Sequence, residues 1–348
     1  MKKLLERHET YVFAIILIFS IVITSINPNF MTLENAFDLL KSNAFTGILA
    51  IGVLFVLISG GIDISFAATA TIAEYVTMLV CLQVGGSMLF AFLFALLIGI
   101  TLGGLNGFLI DRFSIPPIIT TIATMNMYYG LLIVFTKGKW IYALPQYFRT
   151  FADIRVLTLY TKDGIPYGLS VITVIWFALM IFASLLLGYT RLGRSLYAVG
   201  GDSVSAKRVG IPVRSVRIFV YAFMGAMASI AGIVQALLVQ AVAPNSIVGK
   251  ELNVIAAVVL GGASLSGGVG SVLGMFLGVM LLAIVQNGMT LMKVPAVWYD
   301  VFVGLVVIVS VGFSSWKAKR KTATSIIDVQ NEIPQQEMHM LEGRRVQK

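Results

Sequence analysis

Ten apolar stretches run along this chain with almost no charge inside them, and that pattern decides the solvent in which it folds. A helix that crosses the hydrocarbon of a bilayer needs about 20 mostly apolar residues. Hydropathy places such stretches at 11–26, 44–58, 66–82, 88–110, 118–135, 169–188, 218–239, 252–265, 270–288 and 298–313. With 58% apolar and 12% charged residues, a water-soluble domain would have too little polar surface. The expected fold is all-α: a polytopic membrane protein of about ten transmembrane helices. It would fill residues 1–316 and leave a polar, mixed-charge tail at 317–348. The stretch 252–265 is short, and the Gly-rich join after it reads as a broken or re-entrant helix. A membrane permits such a break only where protein or water satisfies the backbone.

The basic residues give the chain a direction. Cytoplasmic loops retain positive charge. With the N-terminus inside, 17 of the 25 Lys and Arg fall on that side. Six of them (Arg191, Arg194, Lys207, Arg208, Arg214 and Arg217) crowd the loop at about 189–217. Both termini are therefore predicted cytoplasmic, in a multi-pass protein of a bacterial inner membrane. The net charge of +9 does not point to nucleic acid, because these residues flank apolar spans and form no basic domain with stacking aromatics. The first span is read as an uncleaved helix, since Glu6 and Glu9 lie near its start and no A-x-A site follows. The single Cys81 excludes an intrachain disulfide and carries no zinc or redox pattern.

Several chemistries are missing. A phosphate-cradling G-x-x-x-x-G-K-[ST] loop is absent: Gly138-Lys139 is followed by Trp140, and Gly249-Lys250 by Glu251. Such a chain does not hydrolyse ATP by itself. His8 and His339 lie in terminal segments, and no nucleophile pairs with a base, so an enzyme is a poor fit. Ion-coupled carriers place ionisable groups at membrane depth. Here the candidates are Asp63, Glu74 and Asp300.

The remaining motifs punctuate the spans. Gly60-Gly61-Ile62-Asp63-Ile64-Ser65 joins two spans, with glycines for a turn and Asp63 or Ser65 as a cap for the next helix. Gly261-Gly262-Ala263-Ser264-Leu265-Ser266 echoes it and hints at an internal duplication. Gly99, Gly103 and Gly107 recur every four residues, a smooth face for a neighbouring helix, with Asn106 beside it. Ser114-Ile115-Pro116-Pro117 stops one helix and starts the next. The following span carries Thr120, Thr121, Thr124, Asn126, Tyr128 and Tyr129, with Thr120, Thr124 and Tyr128 on one face. Asp63, Asn106, Thr120, Thr124 and Asn126 are the candidates for a path that passes a neutral, hydroxyl-bearing solute. Capping, helix packing and back-bonding threonines account for the same residues without a path. In the basic loop, Asp202 or Ser203 can cap a short helix that Gly210 ends and Pro212 prevents from continuing.

Taken in order and spacing, four segments resemble one family. They are Gly60-Gly61-Ile62-Asp63-Ile64-Ser65, Gly103-Gly104-Leu105-Asn106-Gly107, Ile115-Pro116-Pro117-Ile118-Ile119-Thr120-Thr121 and the run from Val258 to Gly268. The family is the permease subunits of bacterial ABC importers for ribose and related monosaccharides, which includes autoinducer-2 permeases. The resemblance covers nearly the whole chain. It implies a ten-helix type II importer fold and a dimer with itself or a related permease. It also implies two cytoplasmic ATPases that bind ATP and Mg, no cofactor in this chain, and a periplasmic binding protein that delivers the solute. The short helix would be the contact with the ATPase, through Ser203, Ala206, Lys207, Arg208, Val209, Gly210 and Ile211. Gly138-Lys139-Trp140-Ile141 with Leu144-Pro145, and Pro295-Ala296-Val297-Trp298-Tyr299-Asp300, are similar to loops of the autoinducer-2 permeases. Two departures stand: Tyr129 precedes Gly130 where the family often has Arg, and Phe66-Ala67 replaces the usual Val-Gly. The other readings are an ion-coupled secondary carrier of a small polar solute and a membrane scaffold or receptor component.

Overall fold

The computed structural model describes residues 8–295, 297–305, 308 and 312. The chain divides into a unit that ends at Val303 and a second that begins at Gly304. The account that follows is of the first. The expected tail at 317–348, with seven of the basic residues, lies outside the described residues.

Eight helices among the described residues are long and apolar enough to cross a membrane. They are α1 (His8–Ile26), α2 (Leu33–Ile58), α3 (Phe66–Val84), α4 (Met88–Phe113), α5 (Pro117–Thr136), α7 (Val171–Tyr189), α10 (Val213–Val239) and α12 (Val272–Leu291). Between them lie α6 (Gln146–Ala152), the surface helices α8 (Arg191–Gly201) and α9 (Ser203–Arg208), and the short apolar α11 (Glu251–Leu260). Residues 297–303 of this unit are helical where the tenth span was expected. An antiparallel hairpin, β1 (Arg155–Tyr160) and β2 (Pro166–Ser170), precedes α7. Nothing in the hydropathy foretold it.

Local sequence sets most of these boundaries. Thr32 caps α2 by accepting from the Asn35 amide at 3.2 Å. The helix thus begins eleven residues before the apolar window that predicted it, and its first turns carry Glu34, Asp38, Ser42 and Asn43. Pro116 and Pro117 start α5, because a missing N–H costs nothing in a first turn. Helix α11 stops at Gly261 and the chain runs irregularly to Ser271, so the break expected in this region is present.

Helices α2 and α10 form the centre. In their most apolar windows 78% of residues are buried, against 17% in α1 and 22% in α4. Lipid is as apolar as a leucine, so association inside a membrane depends on close packing. The glycines provide it. A Cβ on Gly99 would strike the Gly225 carbonyl, one on Gly103 the Tyr221 carbonyl, and one on Gly225 the Gly99 carbonyl. The glycine face read from α4 therefore lies directly on α10.

Candidate functional site

Three features of the bundle carry polar chemistry, and the first is the end where the basic loop lies. Asp202 caps α9, accepting from the Val204 amide at 2.9 Å and from the Ser205 hydroxyl. Those donors hold the Asp202 carboxyl below its ordinary range. Helix α9 closes through Val209, and Gly210 follows at φ 87°. Ala206 is buried, Ser203 and Ile211 are half-buried, and Lys207, Arg208, Val209 and Gly210 face outward. Two apolar side chains here are open to solvent, Val204 at 58% and Val209 at 77%. Helix α8, which the sequence reading missed, carries α9 back to the bundle. Arg214 and Arg217 are not free members of the loop. They sit in the opening turns of α10 and pair with Asp111 at the end of α4, at 3.4 and 3.3 Å.

Helix α8 ends on a junction of backbones. The two joins singled out in the sequence meet here, with a register one residue different from the one their letters suggest. Gly60 and Gly262 are the equivalent left-handed residues, at φ 78° and 93°. Gly61 donates to the Val56 carbonyl, as Ala263 does to that of Val258. The amide of Gly268 donates to the Ile58 carbonyl at 2.9 Å. A Cβ on Gly200 would strike that same carbonyl, and one on Gly267 would strike the Gly200 carbonyl. The Tyr197 hydroxyl adds a bond to the Gly270 carbonyl at 2.8 Å. Gly267 and Gly268 thus serve close approach.

The second feature is a buried network just inside this junction. Asp63 Oδ1 accepts from the Ser65 amide at 2.7 Å and the Ser65 hydroxyl at 2.6 Å. Ser65 Oγ accepts from the Asn106 amide at 2.7 Å, and Asn106 Oδ1 accepts from the Tyr128 hydroxyl at 3.4 Å. Asp63 bonds Ser65 itself, and the Ser65 side chain makes no cap bond, so helix capping by these two is corrected to a turn tied to α4 and α5. Of the five path candidates, Asp63 and Asn106 come together here. Thr120 and Thr124 are buried on the same helix face as Tyr128, but they bond the carbonyls of Pro116 and Thr121 on their own segment. Asn126 is on the outer surface of α5 and bonds Ile122. The structure does not join it to the others.

The third feature was not foreseen. Toward the opposite end, a cavity of about 410 Å³ opens between α2, α10, α11 and α12, with Lys250 and Tyr299 at its walls. Five carboxamides line it, those of Asn43, Gln235, Asn253, Gln286 and Asn287, beside the hydroxyls of Ser42, Thr46 and Thr290. Asn287 and Asn35 exchange bonds of 3.0 and 3.1 Å across α12 and α2. Lys250 lies 5.2 Å from the centre of the Phe45 ring. Burial pulls its ammonium below the usual range, and the charge of Glu74 opposes that shift. Glu74 is itself fully buried and accepts from the Ser246 hydroxyl at 3.3 Å. A signal for this cavity was present in the sequence, as amides within the α10 and α12 spans and a polar first half of α2. Hydropathy averages hid it.

A family model described as branched-chain amino acid transport system / permease component matches residues 35–311. The chain is 34% identical over 305 residues to the autoinducer 2 import system permease protein LsrC of Yersinia pseudotuberculosis serotype IB (strain PB1/+), covering 87% of this chain and 83% of that one. To the protein of the same name from Yersinia enterocolitica serotype O:8 / biotype 1B it is 35% identical over 303 residues, covering 87% and 81%. No solved structure matches it.

Proposed function

This chain belongs to the family of permease components of ATP-binding-cassette importers, and from that premise we propose that it carries a sugar-like solute, autoinducer 2 or a ribose-type sugar, into the cell. Family membership sets the ion-coupled carrier aside. In this reading a separate ATPase binds ATP and Mg, and a periplasmic binding protein delivers the solute to the opposite end. The permease works as a dimer with itself or a related chain. The basic end faces the cytoplasm, with both termini there, and residues 1–316 form the membrane domain.

The observation that carries the reading is the seating of α8 and α9. Val204 and Val209 are exposed beside Lys207 and Arg208, and exposed apolar side chains next to basic ones suit a contact with a protein partner. We place the ATPase contact on α9 at Ser203, Ala206, Lys207, Arg208, Val209, Gly210 and Ile211. Movement there reaches Gly200 and, through Ile58 and Gly268, both interhelical joins. Asp63 and Asn106 stand one step further in, and the solute path is assigned to that network with Thr120 and Thr124, without Asn126, which faces outward from α5.

The test is Val209→Asp together with Val204→Asp, in cells carrying the whole importer. Both side chains are exposed, so the chain should reach the membrane in normal amount while uptake and ATPase co-purification fall at least tenfold, which is about 1.4 kcal/mol in the contact. Unchanged uptake with the ATPase still bound would remove α9 as the contact.

A further inference from the structure

We propose that the amide-lined cavity between α2, α10, α11 and α12 is a binding chamber within a single protomer for a neutral, polyhydroxylated solute of about monosaccharide size. The proposal rests on the permease reading and adds to it a site for that solute.

Gln235 is the first reason. It lies on the most deeply buried part of α10, is only 8% exposed, and lines the cavity. Among the described residues its carboxamide has no hydrogen-bond partner. Its helical neighbours Ile233, Val234, Ala236 and Leu237 are buried and apolar. A carboxamide that bonds nothing in the protein and lines a cavity keeps its donors and its acceptor for water or a ligand. Such a group in a membrane bundle marks a place where water or a ligand enters. Asn253 and Gln286, on α11 and α12, face the same space and likewise lack side-chain partners among the described residues.

The chemistry of the wall selects the ligand. Each carboxamide offers both donors and an acceptor, and a hydroxyl offers the same pair in return. Several amides converging on one cavity therefore suit a ring or chain of hydroxyls better than a carboxylate or phosphate, which needs clustered cations. The cavity has one Asp and one Lys, Asp38 and Lys250, so its charges oppose each other. Leu39, Phe45 and Val254 supply an apolar strip for the carbon face of the solute. A volume of about 410 Å³ lies in the range of small-molecule sites, roughly 300–1,000 Å³.

The test uses the full chain in lipid nanodiscs, which leave both ends open. In a Cys81→Ser background, Gln235→Cys is exposed to a charged, water-soluble methanethiosulfonate reagent. Ser229→Cys, fully buried on the same helix, is the control. Gln235→Cys should react and Ser229→Cys should not. Neutral pentoses and hexoses, D-ribose among them, and autoinducer 2 are then added. At about ten times its half-protecting concentration one of them should slow the reaction about tenfold by mass action. No reaction at position 235, equal reaction at both positions, or reaction that none of these sugars slows would each overturn the proposal. The importer reading fails separately: deletion of the chain that leaves uptake of the protecting sugar intact overturns that reading and not the chamber. Conversely, Gln235→Leu that keeps uptake with unchanged KM overturns the chamber while deletion still abolishes transport.

Discussion

The Gly268 amide donates to the Ile58 carbonyl at 2.9 Å, and this one bond ties the loop after α11 to the last turn of α2. Two helix breaks far apart in sequence therefore share a backbone junction, with the end of α8 laid over it. The site where a surface helix can move the interior is made of main-chain atoms. Side-chain chemistry contributes little there.

Gly200→Ala should damage that junction and Gly201→Ala should not. A methyl at 200 would meet the Ile58 carbonyl, whereas nothing lies within 4 Å of one at 201. The first should cost about 1–3 kcal/mol through overpacking, and the second should stay within about 0.5 kcal/mol. Thermal unfolding in detergent, with uptake measured in parallel, checks both. Equal melting temperatures would contradict the close approach.

Gly225→Ala should loosen the contact of α4 with α10, since its Cβ would collide with the Gly99 carbonyl. A loss of about 1–3 kcal/mol is expected. Gly104→Ala, on the same helix as Gly99 and 3.9 Å from the Ala222 Cβ, should be neutral in the same assay. The pair separates a packing face from a general dislike of alanine.

Asp111 should couple more strongly to Arg217 than to Arg214. The Arg217 side chain is 31% exposed and that of Arg214 63%, and solvent weakens ion pairs. Double-mutant cycles with Asp111→Asn should give about 0.5–1 kcal/mol for Arg217 and roughly 0–0.5 kcal/mol for Arg214. The reverse order would be inconsistent with the observed exposure.

The cap on α9 should survive moderate acid. Donation from Ser205 and Val204 depresses the Asp202 carboxyl below its ordinary value of 3.8. A depressed carboxylate contributes above the unfolded pKa and loses its effect as pH falls through the lower folded value. Helix α9 should thus keep its cap from neutral pH to about 4. A carboxyl carbon-13 titration of labelled protein would show a midpoint under 3.8, and a midpoint above it would contradict the cap. Asp202→Asn retains an acceptor and should keep coupling better than Asp202→Ala.

The sequence by itself determined that this chain folds in a bilayer as a bundle of apolar helices, and where Asp202, Gly210, Pro116 and Pro117 start and stop helices; its ten apolar stretches compare with eight helices long enough to cross among the described residues. These are local consequences of hydropathy, backbone freedom and missing amides. It also exposed the Gly99–Gly103–Gly107 face, because small residues at helical spacing have one main use inside a membrane. Tertiary structure decided which helices are central, since lipid and protein interior are equally apolar and hydropathy cannot separate α10 from α4. It decided that Asn126 lies away from Asp63 and Asn106, that Arg214 and Arg217 pair with Asp111, and that Gly60 meets Gly200 and Gly267. It alone assembled Gln235, Asn253 and Gln286 around one cavity, because those amides lie on three helices and come together only when the bundle packs.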